Sequence, residues 1–435
     1  MNAIFSQIKT LVSQENFCLW ENLNFIKQKS IIQAIASPIR PQYLVYPQTP
    51  AELASIITYT CDRNGKILLC GSGSKLSWGG LAHNVDIVVS TEGLNQVIEH
   101  AVGDLTVTVE AGTKFADLQA VLAKSGQFLP LDPASPESAT IGGIIATADA
   151  GSLRQRYGGV RDLLLGITFV RADGQIAVAG GRVVKNVAGY DLMKLFTGSY
   201  GTLGAICQAT LRVYPLPEAS ATVLLTGDVE KLTQATKSLR ASALTPAKFD
   251  LLSSLLVKNL RLGEGMGLIA NFASLKESVK QQSATLVEVG KQLGLHSSVY
   301  TDKDEFTLWE TLQQQMRQAG DSLITCKIGV LPEATVEVLS QIESICQGMG
   351  LIHAGTGLGV WRCPDDTTVP EILKVRSHLC QSSGGFLTIL EAPIAFKQQL
   401  DVWGYAGNSL ELMQKIKHQF DPKNILNPHR FVGGI

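Results

Sequence analysis

Three glycine-rich segments, well separated within residues 71–206 of this 435-residue chain, constrain its fold more than any other feature. Each adjoins an apolar run typical of a buried strand or helix. Glycine admits positive φ and carries no Cβ, so successive backbone N–H groups can converge on one anion. Together the segments predict a mixed α/β domain whose loops carry a ligand site.

The first segment follows the apolar strand predicted at Ile67–Cys70 and reads Gly-Ser-Gly-Ser-Lys over residues 71–75. Its backbone amides and the hydroxyls of Ser72 and Ser74 are suited to a diphosphate. A plain turn also explains such a loop, and its spacing fits neither GxGxxG nor GxxxxGK[ST]. By itself this loop is weak evidence for a nucleotide site.

The second segment couples a proline-stiffened loop at 131–139 to a helix predicted over residues 141–150, with Thr140 as its N-cap. Two glycines in a first helical turn cost about 1 kcal/mol each relative to alanine. Their presence therefore indicates either close approach of an anionic ligand to the helix N-terminus or tight packing of the helix against a strand.

The third segment runs from Lys185 (KNVAGYDL) into a short helix that ends at Gly198, followed by a strand predicted at Ala205–Val213. Gly198 is explained by helix capping alone. Gly201 and Gly204, just before a strand, instead suggest backbone lying flat against a planar ligand.

Hydrophobic periodicity divides the chain into four regions. We predict a helical segment at 1–40, a mixed α/β domain at 41–217, a cap-like domain at 218–395 and a C-terminal helix and tail at 396–435. The stretch Arg212–Ser220 looks like a linker. In the cap, the order β-α-β-β-α-β occurs twice, which predicts two ferredoxin-like halves and an α+β fold overall.

Composition excludes several classes of protein. Lys and Arg total 37 against 38 Asp and Glu, with no basic block, so nucleic-acid binding is not expected. We find no transmembrane segment and no secretory signal, and expect a cytoplasmic location. The 8 cysteines are scattered without a CxxC, which argues against iron–sulfur and zinc sites and for reduced, mostly buried thiols.

Four segments occur in one order: GSGSKLSWGG, ATIGGIIATADAGSLRQRYGGVRD, KNVAGYDLMKLFTGSYGTLGAI and FDPKNILNPHRF. Together they resemble the vanillyl-alcohol oxidase (PCMH-type) flavoprotein family. The resemblance covers roughly residues 43–217 and the last forty residues, and within the family KNVAGYDL is most similar to FAD-binding subunits of glycolate oxidases.

The resemblance implies that the 41–217 region is a PCMH-type FAD-binding domain of two α/β subdomains, and that the rest forms the ferredoxin-like cap domain and C-terminal helix. It also implies which residues surround the FAD. These are Gly71, Ser72, Gly73, Ser74, Lys75, Leu76, Pro133, Ser138, Thr140, Ile141, Gly142, Gly143, Ala146, Thr147, Gly151 and Ile206.

A flavin oxidises a 2-hydroxy acid by accepting a hydride while a base removes the hydroxyl proton and a cation holds the carboxylate. We assign no catalytic base and expect no metal, since His353 has no second ligand within five residues. A structural histidine explains His353 better, and a surface arginine explains Arg362 better. His429 and Arg430 are hypothesised to approach the flavin.

Some members of the family that the chain resembles join the flavin covalently to a histidine in the first glycine loop. Because residues 72–75 contain no histidine, the resemblance implies a non-covalent FAD. The resemblance further implies a complex with a catalytic flavoprotein subunit and an iron–sulfur subunit, oxidising glycolate or another small 2-hydroxy acid, with membrane contact only through that complex. Two alternatives stay open: a self-sufficient FAD-dependent D-lactate or glycolate dehydrogenase, and a non-catalytic scaffold subunit.

Overall fold

The computed structural model describes residues 3–36, 38–182, 189–317, 323–364 and 366–435. Internal contacts divide the chain into two compact units. Unit 1 comprises Met1–Gly151, Gly158–Leu216 and Tyr405–Ile435, and unit 2 comprises Ser152–Tyr157 and Pro217–Gly404.

The strands, in chain order, are β1 (Phe17–Leu19), β2 (Tyr43–Val45), β3 (Ile67–Cys70), β4 (Ile87–Ser90), β5 (Val97–Ala101), β6 (Thr106–Glu110), β7 (Gln127–Phe128), β8 (Leu164–Val170), β9 (Ile176–Gly180), β10 (Ala205–Arg212), β11 (Tyr214–Pro215), β12 (Ala219–Gly227), β13 (Lys248–Leu252), β14 (Met266–Ser274), β15 (His296–Thr301), β16 (Ile324–Gly329), β17 (Met349–His353), β18 (Leu358–Cys363) and β19 (Phe386–Glu391).

The α-helices are α1 (Phe25–Ile32), α2 (Pro50–Asp62), α3 (Phe115–Ala123), α4 (Ile141–Thr147), α5 (Arg154–Tyr157), α6 (Val160–Leu163), α7 (Leu192–Phe196), α8 (Val229–Ala241), α9 (Ser254–Asn259), α10 (Lys276–Gln292), α11 (Asp302–Arg317), α12 (Thr335–Ile345), α13 (Val369–Ser383), α14 (Ile394–Lys397) and α15 (Leu410–Phe420).

Unit 1 contains two α/β subdomains, each with its own main sheet. One sheet has the order β1-β2-β4-β3, in which β2, β4 and β3 are parallel; the other is antiparallel with the order β5-β6-β10-β8-β9. The C-terminal tail returns to the first sheet, where Ile67 N donates to Ile425 O at 2.7 Å and Asn427 N donates to Ile67 O at 2.9 Å. The tail therefore runs beside β3, just before the first glycine loop.

Unit 2 is built on one eight-stranded antiparallel sheet of order β15-β12-β14-β13-β17-β18-β16-β19. Strands β12–β15 form one β-α-β-β-α-β half and β16–β19 the other, joined where β13 pairs with β17. Side chains of α8, α10, α12 and α13 build a single apolar core on one face of the sheet. The strands of both halves follow the order expected of ferredoxin-like units, with α9 as an additional helix between β13 and β14.

Three details of the sequence prediction are wrong. Residues 1–40 are not helical throughout, because β1 pairs with β2. Arg212–Ser220 is not a free linker: β10 extends to Arg212, β11 pairs with β7, and β12 begins at Ala219. Helix α4 ends at Thr147 instead of residue 150, since Ala148 adopts a left-handed φ of 50°.

Helices α9 and α11 were not predicted from the sequence. They cover the other face of the unit 2 sheet, where Leu256, Trp309 and Leu312 enter a second, smaller apolar cluster. Across the described ranges, every helix is too short or too polar to cross a membrane.

Candidate cofactor-binding cleft

A cleft in unit 1 opens where the end of β3, the start of α4 and the start of β10 meet. Most of the sequence-predicted binding residues line it, and they come from all three glycine-rich segments: Gly71, Ser72, Gly73, Ser74, Lys75, Leu76, Thr140, Gly142, Gly143, Ala146, Thr147 and Ile206. The fold therefore brings together segments that lie up to 135 residues apart in sequence.

The first two segments touch directly. A Cβ on Gly71 would overlap the Thr140 hydroxyl oxygen, and the Ser72 hydroxyl donates to the carbonyl oxygen of Ser138. Gly73 has a φ of +90°, which a side chain rarely adopts. Glycine at 71 thus permits the close approach of the two loops, and glycine at 73 permits the turn.

Thr140 is the N-cap of α4, as the sequence predicted, and its hydroxyl accepts from Gly143 N at 3.3 Å. Glycine has a different structural role at each of the two positions of the first turn. A Cβ on Gly142 would lie 2.8 Å from the Ala111 Cβ, so Gly142 allows tight packing against the end of β6. A Cβ on Gly143 would have the Thr140 hydroxyl oxygen as its nearest atom, at 3.1 Å. The absence of a side chain at Gly143 therefore leaves space in the cleft.

The third segment is joined to the first by Asn427 from the C-terminal tail. Its side-chain amide donates to Tyr200 O at 2.6 Å and its side-chain oxygen accepts from Leu69 N at 2.6 Å. Gly201 lines the cleft with a φ of +70°, and Gly198 has a left-handed φ just after α7. Residues 185–188 of this segment lie outside the described residues.

Gly204 also lines the cleft, but close packing inside the protein accounts for it. A Cβ there would lie 2.9 Å from the Phe196 ring and 3.0 Å from the Phe169 ring. The absence of a side chain at Gly204 is therefore no sign of a planar ligand.

Four predicted binding residues are not among those that line the cleft. Pro133 is buried, and Ser138 contributes its carbonyl to Ser72. Ile141 is a core residue with 1% exposure, and Gly151 N donates to Asp132 Oδ1 at 2.8 Å. The sequence motif runs through these positions, but its outward-facing members alone line the cleft.

Sequence reasoning left out several residues that the fold adds to the wall. Cys70 and Ala205 directly adjoin predicted positions, and extension of each motif by one residue finds them. The other additions come from β3, the loop after β4, the third segment and the C-terminal tail: Leu69, Thr91, Tyr200 and Asn427. Arg430, hypothesised from the sequence to approach the flavin, also lines the cleft.

Two buried cations line the cleft, and each lies where it can contact an anion. Lys75 Nζ lies 3.2 Å from Asp149 Oδ2. Arg430 is 3% exposed and its Nη1 donates to Gly80 O at 2.7 Å. Burial lowers the pKa of Arg430 to about 10, while it raises the pKa of the neighbouring Cys70 thiol to about 11.

His429 directly precedes Arg430 in the C-terminal tail and has a φ of +67°. Its ring centroid is 4.3 Å from that of His83. Partial burial, and then the neighbouring His83, lower the pKa of His429.

In unit 2, Nδ1 of His353 on β17 lies 2.6 Å from Oδ1 of Asp250 on β13, where the carboxylate accepts the hydrogen bond. Both side chains are buried. Arg362 is 3% exposed and its Nη1 donates to Gln315 O at 2.6 Å, so the expectation of a surface arginine is wrong. Over the ranges that the structure describes, no group of three or more His, Cys, Asp or Glu is placed to hold a metal ion.

The donors of the cleft fit a dinucleotide. Its wall presents glycine backbone and hydroxyl groups, and its charged members among the described residues, Lys75 and Arg430, are both cationic. A nest of main-chain amides with nearby cations is the usual environment of a bound diphosphate. Apolar wall residues such as Ala146 and Ile206 are suited to the neutral parts of such a ligand.

Family comparisons agree with this geometry. Residues 41–180 match the FAD binding domain family, and residues 404–431 match the C-terminal domain of FAD linked oxidases. Glycolate oxidase subunit GlcD of Bacillus subtilis is 28% identical over 89% of this chain and 88% of its own length. D-2-hydroxyglutarate dehydrogenase of Xanthomonas citri pv. viticola is 25% identical over 89% and 88%.

Solved structures show the same fold. A p-cresol methylhydroxylase superimposes with a TM-score of 0.75 at 15% identity, over 99% of this chain and 96% of that chain. The 4-ethylphenol oxidase of Gulosibacter chungangensis gives a TM-score of 0.76 at 12% identity, over 98% and 96%.

The fold and the cleft define a flavoprotein with a PCMH-type FAD-binding domain, and its cofactor is FAD. Residues 41–180 and 404–431 match the two domains of FAD-linked oxidases, so the chain is similar to FAD-linked oxidoreductases.

Proposed function

We propose that this chain is the FAD-binding subunit of a glycolate oxidase complex, which oxidises glycolate to glyoxylate and passes the electrons to a partner. The observation that carries the proposal is the unit 1 cleft, where three glycine-rich segments and the C-terminal tail converge. Such a cleft holds a dinucleotide by its diphosphate.

The class of substrate is supported by the relatives. Their names specify glycolate oxidase, D-lactate dehydrogenase and D-2-hydroxyglutarate dehydrogenase, at 25–28% identity over about nine tenths of this chain. Each of these substrates has a hydroxyl on the carbon next to a carboxylate. We therefore propose 2-hydroxy-acid oxidation as the reaction, with glycolate as the preferred substrate.

Residues of the cleft have distinct parts in this proposal. The amides of 71–75 hold the diphosphate, with the hydroxyl of Ser74 as a further donor. The walls formed by Ala146, Thr147 and Ile206 exclude water from the rest of the cofactor. Bound FAD supplies a two-electron acceptor for the substrate hydride.

The partners in the proposal are a catalytic flavoprotein subunit and an iron–sulfur subunit of the complex, with a cytoplasmic location and membrane contact only through the complex. Support comes from the related Bacillus subtilis protein, whose name describes it as a subunit. A subunit that binds FAD and transfers electrons onward requires such a neighbour.

The test compares the FAD-loaded chain alone with the chain co-purified with its neighbours. We expect a yellow protein whose flavin absorbance is not bleached anaerobically by glycolate when the chain is alone, and glycolate oxidation when the partners are present. A chain that stays colourless after incubation with FAD would support the scaffold reading and contradict the proposal.

A self-sufficient dehydrogenase is the second candidate, favoured by the buried His353–Asp250 pair. A carboxylate 2.6 Å from an imidazole fixes the ring and its tautomer, as a general base requires. This candidate predicts that glycolate or D-lactate bleaches the isolated chain, and that His353→Asn abolishes bleaching. His296→Asn, at an exposed position of β15, is the matched control.

We also propose that the FAD is held without a covalent bond, since residues 72–75 are Ser-Gly-Ser-Lys. After acid precipitation of the loaded protein, the yellow colour is expected in the supernatant. Colour that remains in the pellet after washing contradicts this part of the proposal.

A further inference from the structure

Arg430 is held rigidly at the cleft by the C-terminal tail. Gly80 N donates to Arg430 O at 3.1 Å, and Arg430 Nη1 donates back to Gly80 O at 2.7 Å. A Cβ on Gly80 would overlap His429 O, so glycine at 80 is required for this close contact. The guanidinium is therefore fixed in place before any ligand arrives.

This guanidinium is buried without a counter-ion. It is 3% exposed, its Nε has no hydrogen-bond partner, and no carboxylate within the described ranges forms an ion pair with it. Burial of an unpaired charge is strongly unfavourable, and proteins normally pair such groups. Two other buried cations of unit 1 follow that rule, because Lys417 lies 2.6 Å from Asp421 and Lys75 lies 3.2 Å from Asp149.

The cleft therefore has an excess of one positive charge. Lys75 and Arg430 are the charged residues among its described lining, and Lys75 already has Asp149 as its partner. Of the parts of FAD, the diphosphate is negatively charged in every redox state, whereas the oxidised flavin ring and the adenosine are neutral. The permanently charged Arg430 is therefore best matched by the diphosphate, which is the permanently charged part of FAD.

We propose that Arg430 is the charge partner of the FAD diphosphate, so that the C-terminal tail, and not the glycine loops alone, recognises the cofactor. This rests on the assignment of FAD to the unit 1 cleft. Arg430 lies beside Cys70, where β3 passes into the 71–75 loop that is proposed to hold the same group. The guanidinium and the loop amides then grip one diphosphate from two sides.

The test measures the dissociation constants of FAD, ADP and adenosine for the apo chain by calorimetry or flavin fluorescence. ADP carries the diphosphate without the flavin, and adenosine carries neither. We expect Arg430→Gln to weaken FAD and ADP by a similar factor, at least about 30-fold, because a charged pair is lost. Adenosine affinity should change less than about threefold, because adenosine lacks the diphosphate that Arg430 is proposed to contact.

Arg171→Gln is the matched control. It removes the same charge from unit 1 at a side chain that is 42% exposed and pairs with Asp173, and it is expected to leave all three affinities unchanged. Arg430→Lys keeps the charge and is expected to recover most of the lost ADP affinity. The apo melting temperature of each variant reports on folding separately.

Three results overturn the proposal: ADP that binds the wild-type chain no more tightly than adenosine, an ADP affinity that Arg430→Gln leaves unchanged, or FAD and adenosine weakened equally. The first needs no variant, so the test stands even if Arg430→Gln does not fold. A wild-type chain that fails to bind FAD contradicts the proposed function itself, whereas normal FAD binding by Arg430→Gln contradicts this inference alone.

Discussion

Two regions of this protein, one in each unit, bury polar groups in opposite ways. In unit 2, Asn271 Nδ2 donates to Glu305 Oε1 at 2.8 Å and Trp309 Nε1 donates to Thr222 at 2.9 Å, and Trp309 belongs to the smaller apolar cluster. At the unit 1 cleft, glycines replace side chains and the buried Arg430 has no carboxylate partner among the described residues. These unit 2 contacts pair buried polar groups with one another, whereas the unit 1 cleft holds a buried cation where a ligand belongs.

The largest effect is expected from the unit 2 core. Trp361→Ala removes a side chain with 0% exposure and should lower the free energy of unfolding by about 3–5 kcal/mol. FAD affinity should stay within twofold, roughly, because Trp361 is a packing residue of unit 2 and does not line the cleft. Denaturant titration and FAD binding measure the two quantities.

Phe306→Ala is its control, since this ring is 68% exposed and its loss should change stability by less than about 0.5 kcal/mol. A Trp361→Ala variant that keeps its stability but loses FAD binding would contradict the view that Trp361 is a packing residue and that FAD binds in the unit 1 cleft.

The buried ion pair of unit 1 comes next. Asp149→Asn leaves Lys75 buried without its carboxylate, and should destabilise the apo chain by about 3 kcal/mol. Saturating FAD should restore part of that stability, because the diphosphate then faces the unpaired cation. Thermal melts with and without FAD measure this effect. Equal losses of stability in both conditions would show that Lys75 does not interact with the ligand.

Third is the contact between the first two glycine segments. Gly71→Ala introduces a Cβ that overlaps the Thr140 hydroxyl, which separates the loops and should weaken FAD binding about 100-fold, or about 2.7 kcal/mol. Gly103→Ala is the control, since a Cβ there meets nothing within 4 Å. FAD titration of both variants checks the result, and a tight Gly71→Ala complex would show that the close approach is unnecessary.

The smallest effect concerns acid stability. The pKa of His429 is lowered in the folded chain, so the unfolded chain binds more protons as pH falls below about 6.5, and stability falls with it. His83→Asn removes a neighbouring ring that contributes to the shift, and should make this loss shallower between pH 7 and 5. Unfolding measured across that range checks the slope; His296→Asn should leave it as in the wild type.

Local patterns were sufficient to predict much of unit 2. Helix α8 and strand β13 occupy the first α and second β positions of the predicted order, since the apolar periodicity is regular and Asp228 caps the helix through a 2.9 Å bond from Lys231 N. Helix α11 was missed because its sequence is rich in Gln and Glu, and contact with the sheet decides its fold.

In unit 1 the loops were predictable and their junctions were not. Gly71, Thr140 and Ile206 were found because glycine patterns and caps are local signals. Asn427 and Arg430 meet the cleft from the far end of the chain, through contacts such as Asn427 with Tyr200 that no local pattern encodes. Arg362 was misplaced because a single arginine does not reveal which face of a sheet it occupies.

Amide hydrogen exchange of the apo and FAD-loaded chain tests the central claim most directly. If main-chain donors of the converging segments hold the FAD diphosphate, FAD will slow exchange at residues 71–76, 140–147 and 427–430, and the unit 2 sheet will be unaffected. Slowing confined to other segments, or unchanged exchange at 71–76 in a chain that has bound FAD, would contradict it.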